Sequence, residues 1–312
     1  MASLRLLFLA SIIPSSLVAC GGGTDGQAPP SGPHYTSVAS ELTVPANNTQ
    51  AREIGLDLNA DGTVDNQLGM VLGTLSNQGF DVQTTVDDAV AKGSIILLLD
   101  LQTPSFSSTS GAGLEVKLGD TPSPTPCTDP AVITTCGKHL AGTGSFTVAA
   151  GSAADSGVDG TITGGVFKGG PGNLSLQIAL GGSDPIDLDL IGARVKATSL
   201  TETGIGEAIL AGAITESDLN AKVIPAVHAQ LGPILTRDCQ TTPPPDCGCI
   251  ANSTGKTILG LFDTTPKDCA VSIDEIKNNS LIKSLLSPDV TIDGVMALSL
   301  GISVKTVQAT IN

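Results

Sequence analysis

The chain has 312 residues, a formal net charge of −15 and 40% hydrophobic residues. That is enough apolar material for one large domain or two small ones, while the acidity excludes electrostatic attraction to nucleic acid or to anionic lipid headgroups. With no Trp, one Tyr and six Phe, the chain lacks most of the aromatic platforms on which sugars and single-stranded bases stack.

Residues 1–5 carry one positive charge, Arg5. They lead into an apolar run, residues 6–17, built from Leu6, Leu7, Phe8, Leu9, Ile12 and Ile13. The run is too short for a permanent transmembrane helix and is followed by small residues, as in a secretory signal. The next residues, Leu17-Val18-Ala19-Cys20, resemble the lipobox of bacterial lipoprotein signals. The resemblance implies that residues 1–19 are a signal peptide, that Cys20 carries lipid and that the protein is held on a membrane of the cell envelope. Several acyl chains on one residue anchor stably where one chain would not. Gly21, a non-Asp residue after the cysteine, favours the outer membrane under the enteric sorting rule. Residues 20–40 are rich in Gly, Pro, Ser and Thr and read as a flexible tether. Residues 41–312 read as one β-rich domain, with no later stretch apolar enough to span a bilayer as a helix.

Within that domain the spacing of Leu68, Val71, Leu72 and Leu75 predicts a helix over residues 66–75, and residues 86–92 predict a second, stopped by Gly93. Residues 94–101 form a nearly continuous apolar run, expected as a buried strand. Leu174, Leu176, Ile178 and Leu180 alternate with polar or small residues, the period of a half-buried strand. Residues 186–200 predict a hairpin turning at Ile191-Gly192, pairing Asp189 with Arg194, Asp187 with Lys196 and Leu188 with Val195. That makes the two aspartates a salt-bridged outer face rather than a catalytic pair. Residues 207–214 suggest a strand of small residues. Thr215 and Asp218 begin a helix through Leu219, Val223, Val227 and Leu231, with a kink or restart at Pro225. Ser272 and Glu275 make a capping box, and residues 295–311 lead into a final strand.

The motif that carries chemistry is residues 57–68. Asp57, Asn59 and Asp61 occupy the first, third and fifth positions of a loop resembling that of EF-hands and dockerins. Gly62 stands at the sharp turn, Thr63 offers its carbonyl, Val64 is the apolar anchor and Asp65 takes the ninth position. Calcium needs six to eight hard oxygen ligands, which alternate residues of a tight loop can aim inward. The twelfth position is Leu68 where the family has a bidentate Glu. The resemblance therefore implies a weak Ca2+ site, with Kd on the order of 10⁻⁴ to 10⁻³ M. A degenerate second copy, residues 263–275, is a poor metal loop and reads better as a capped helix.

Once Cys20 is assigned to lipid, Cys127, Cys136, Cys239, Cys247, Cys249 and Cys269 remain. An exported chain permits disulfides. Proximity pairs Cys127 with Cys136. Cys247 and Cys249 are too close to bridge each other, so in the Cys-rich segment 239–269 they go to Cys239 and Cys269 in one of two ways. A four-cysteine zinc site is disfavoured by the single residue between Cys247 and Cys249.

Enzyme signatures are few. No G-x-S-x-G elbow and no H-E-x-x-H helix occurs. His34, His139 and His228 have no suggestive neighbours. Gly255-Lys256-Thr257 ends like a phosphate loop, but Ile250 stands where its first glycine belongs, and an exported protein would not meet ATP. The expected fold is α+β, mainly antiparallel sheet with a few short helices, stapled by disulfides. The expected function is that of a calcium-stabilised envelope lipoprotein with a structural or binding role, with other envelope or surface proteins as expected partners and neither nucleic acid nor ATP. Alternatives are a carrier of an apolar ligand in a β-rich cavity and a metal-dependent hydrolase using the aspartate loop.

Overall fold

The computed structural model describes residues 27–77, 82–179, 185–240, 244 and 246–312. The signal segment, the lipobox with Cys20, and Leu180 lie outside the described residues. The first strand, β1, is His34–Thr43, so the stretch read as tether to residue 40 is structured from residue 34. Its Ser and Thr content looked like a linker. It is nevertheless paired on both sides, with β2 (Leu97–Gln102) and with β10 (Val295–Ile311).

The remaining strands are β3 Ser108–Ser123, β4 Gly144–Val148, β5 Gly157–Thr163, β6 Val166–Ile178, β7 Ile186–Thr201, β8 Gly204–Thr215 and β9 Val290–Ile292. Eight antiparallel pairings run β1–β2, β2–β3, β3–β5, β5–β6, β6–β7, β7–β8, β8–β10 and back from β10 to β1. They close a barrel and leave the ring no free edge. β4 lies outside the ring, antiparallel to β3 and parallel to β10, so the sheet is mixed rather than purely antiparallel. β9 adds to the start of β10.

Alternation decides which face is which. Leu97, Leu99 and Leu101 of β2, Leu114 and Val116 of β3, Phe167 and Leu176 of β6, Leu190 and Val195 of β7, Leu210 of β8 and Leu300 and Ile302 of β10 share one buried cluster. They fill the interior, as an eight-stranded ring allows. Asp159, Lys168, Asp187, Asp189, Lys196, Glu207 and Lys305 point outward and are exposed. An apolar inside and a charged outside reverse the pattern of a barrel that crosses a membrane. The apolar run before and along β2 is continuous because both its faces are covered: Ile96 and Leu98 pack outside the barrel with Val38 and Phe146 of β4.

The strand directions sort the connections. Those from β2 to β3, β5 to β6 and β7 to β8 are short, spanning residues 103–107, 164–165 and 202–203. The opposite end carries every long one. Between β1 and β2 come α1 (Asn48–Glu53), α2 (Gln67–Asn77) and α3 (Val82–Lys92). Leu68, Val71, Leu72, Val82, Val86 and Val90 of α2 and α3 join the barrel's own cluster, as the helical spacing predicts. Between β3 and β5 come β4 and the Cys127–Cys136 bridge. Between β8 and β9 lies a helical lobe: α4 (Glu216–Asp218), a π-helical turn (Leu219–Val223), α5 (Ile224–Asp238), α6 (Thr254–Phe262), α7 (Ile273–Asn278) and α8 (Ser280–Leu285). This lobe has a core of its own, including Ile224, Leu231, Ile258, Phe262 and Ile276, and two bridges, Cys239–Cys249 and Cys247–Cys269. The bridges exclude the zinc arrangement.

The hairpin expected at residues 186–200 does not form. β7 runs straight through Ile191-Gly192, with a bulge there. Asp189 lies opposite Ser175 and Asp187 opposite Gln177 on β6, while Arg194 lies opposite Ala211 on β8. Alternating charge suits one long strand as well as a hairpin, because the outward partners come from neighbouring strands. Asp189 is paired with Lys222 at 3.1 Å. The helix over Leu219 to Leu231 is also modified: before Pro225 its backbone widens into the π-turn.

Candidate functional site

The aspartate loop sits between α1 and α2, tied off by an antiparallel bridge between Leu56 and Asp65. Asn, Asp and Gly favour this local fold because their side chains take the place of backbone acceptors in tight turns. Asp57 accepts from the N–H of Asp61 at 3.2 Å and of Gly62 at 2.9 Å. Asn59 accepts from the Asp61 N–H at 3.1 Å, and Asp61 from the Thr63 N–H at 2.7 Å. Gly62 takes φ +87°, where a side chain would be strained. The Thr63 N–H and the Asn59 amide hold the Asp61 carboxyl below its ordinary range.

Asp65 is different. It is only 8% exposed and accepts from the Leu58 N–H at 2.8 Å. Burial pushes its carboxyl up, against that hydrogen bond, and the charges of Asp289, Asp61 and Asp57 push it further. A half-desolvated carboxylate beside three like charges is what a divalent cation would relieve. Val64, the expected apolar anchor, is instead 44% exposed. Leu68, at the twelfth position, is buried in the barrel cluster and cannot turn an oxygen to the loop.

The loop thus brings together Asp57, Asn59 and Asp61, with Asp65 behind them. The carboxylates and the amide oxygen are of the kind that suits a hard cation, but Asp57, Asp61 and Asp65 do not bring their oxygens within 4.8 Å of one another, and the loop's own N–H groups occupy them. Asp289 was not legible as a neighbour, since it lies 224 positions beyond Asp65. It approaches because β9 and β10 return to the loop: Leu58 packs with Val290, Ile292 and Ala297. Asp289 also receives the N–H of Ser299 at 2.7 Å and the hydroxyl of the same residue.

Among the described residues, the three side chains whose ligand atoms lie within 4.8 Å of one another are Cys247, Asp263 and Cys269. Both sulfurs there belong to one disulfide, and Asp263 accepts from the N–H groups of Asp268 and Cys269 at 3.0 Å. The site is a stapled turn, followed by the Ser272–Glu275 capping box that the sequence predicts. Lys256 is on the first turn of α6, where Asp238 already takes the Gly255 N–H at 2.8 Å. The three histidines are dispersed: His34 pairs with Asp100 at 2.9 Å, His228 bonds the Val271 carbonyl at 2.8 Å, and His139 is buried against β4. No protein family matches the chain, and neither a curated protein nor a solved structure matches it.

Proposed function

We propose that the protein is an exported, lipid-anchored envelope protein whose barrel is braced by calcium at the loop of Asp57, Asn59, Asp61, Thr63 and Asp65, and whose role is structural or binding. The observation that carries the calcium reading is Asp65, a buried carboxylate crowded by the like charges of Asp57, Asp61 and Asp289. The bound ion would neutralise that crowding and hold α1 and α2 against β10. The anchor reading rests on Leu17-Val18-Ala19-Cys20. The filled interior offers no support to the carrier reading, and no histidine stands with the loop to serve a hydrolase.

Calcium titration followed by calorimetry tests the reading. Weak binding, with Kd on the order of 10⁻⁴ to 10⁻³ M, is expected in the wild-type chain and its loss in Asp61→Ala. In the producing cell, Cys20→Ala should move the protein from the membrane to the soluble fraction. Binding unaltered by Asp61→Ala would refute the loop assignment, and an unchanged membrane fraction would refute the anchor.

A further inference from the structure

The connection between β3 and β4 holds a buried imidazole that the calcium reading does not use. His139 lies on the short 3-10 turn Lys138–Leu140 and has no exposed surface. Neither ring nitrogen makes a well-formed hydrogen bond, and the Val90 carbonyl at the end of α3 is the acceptor that still favours the protonated ring. Buried polar groups are almost always paired, so an orphan of this kind calls for a reason.

Its surroundings are apolar. The ring stands edge-on to Phe146 of β4, centroids 6.0 Å apart. On the other side is the end of α3, where Gly93 takes φ +71° and a Cβ would fall 2.6 Å from the Pro126 ring and 3.5 Å from His139 Nε2. Glycine at that position lets Pro126 and His139 close on the helix end together. The loop is joined to α3 by one backbone bond, Gly137 N–H to the Ala91 carbonyl at 2.8 Å, and to itself by Lys138 N–H to the Pro126 carbonyl and by Cys127–Cys136.

The charged groups of the surrounding elements are engaged elsewhere. On α3, Asp87 takes Gln83 and Asp88 takes Lys92. Glu41 of β1 pairs with Lys305, Asp120 of β3 accepts from Thr121, Asp129 of the loop accepts from Ala131, and Lys138 reaches Thr128. β4 has no titratable side chain. None of these groups bonds to the imidazole.

We propose that residues 126–140 form an acid-released latch: a proton taken up at the buried His139 imidazole gains too little from the Val90 carbonyl to offset its lost hydration in the closed loop, and its uptake frees the loop from the end of α3. The proton comes from solvent and returns to it, so release is reversible. Burial holds the His139 imidazole below the usual histidine range, and the Val90 carbonyl opposes this only in part. A base whose folded pKa is depressed binds its proton more tightly when open. Closure is therefore fully stable above about pH 6.5 and is lost as pH falls below it, by about tenfold per pH unit until the closed form itself titrates.

Hydrogen exchange of the full chain, compared at about pH 7.5 and about pH 5 after correction for intrinsic rates, brackets the histidine range. The amides of Gly137 and Lys138 should lose about tenfold or more in protection at the lower pH, while those shared by β8 and β10 keep theirs. His139→Phe, which keeps a ring and removes the proton site, should protect the loop equally at both values. Equal loop protection of the wild type at both values would overturn the proposal, as would the same acid loss in His139→Phe. Should that variant fail to fold, NMR titration of the wild-type imidazole decides. A midpoint below the ordinary value, reached together with loss of the loop amide signals, supports the latch; a midpoint at the ordinary value with the loop unchanged refutes it.

Discussion

Asn66 joins three parts of the chain that are distant in sequence. Its amide nitrogen donates to the carbonyls of Ala51 and Gly301, both at 3.0 Å, and its oxygen accepts from the N–H of Gly69 at 3.0 Å and of Gly301 at 2.8 Å. Gly301 is required at that crossing: a Cβ would sit 2.4 Å from the Ile54 carbonyl. Asn66 is 2% exposed, so truncation would leave several buried backbone groups unpaired. Asn66→Ala should cost about 3 kcal/mol or more, read as a lower midpoint in urea denaturation at unchanged slope. The next carboxylate back, Asp65, should behave in the opposite way. Its raised pKa means that the folded chain holds the proton more tightly than the unfolded chain. Metal-free stability is therefore lost as pH rises from the ordinary aspartate value through the raised one. In EDTA at neutral pH, Asp65→Asn, which keeps an acceptor for the Leu58 N–H, should melt no lower than the wild type, and its response to calcium should vanish; a lower melt in EDTA would show that the charge of the carboxylate stabilises the metal-free fold.

At the scale of elements, the sequence is most legible where one local rule acts. The capping signals at Thr215 and Ser272 appear as helix starts, with side chains accepting from Asp218 and Glu275. The spacing of Leu68, Val71 and Leu72 marks the buried face of α2, and Cys127 pairs with its neighbour Cys136. Legibility fails where partners are remote. The charges on β7 fit a hairpin locally, but Lys222, from a different connection, is what pairs with Asp189. β1 looks like linker because its polar residues find partners only in β2 and β10. The lobe of α5 to α8 has a core separate from the barrel and two bridges. Bridges closing short loops contribute about 2–4 kcal/mol each. Reduction should therefore loosen this lobe first, with helix signals and α5–α8 amide protection lost while β8 and β10 stay protected. Simultaneous loss in lobe and barrel would mean that the two fold as one unit.

The whole molecule is a closed barrel with a plain end and an elaborated one. Nothing local in the sequence announces closure, because the pairing of β1 with β10 joins the two extremes of the domain. The same return of β9 and β10 brings Asp289 close enough for its charge to act on Asp65. The loop residues were legible because their spacing is short; their coupling to the barrel was not. If calcium braces that junction, binding at the loop must appear in the stability of the entire domain, since a ligand that prefers the folded state raises the melting temperature by mass action. The direct measurement is the melting temperature of the protein in EDTA and in about 5 mM calcium, a concentration suited to weak sites. The account predicts a rise with calcium that disappears in Asp57→Ala. Superimposed melts with and without calcium, or a rise that survives in Asp57→Ala, would contradict it.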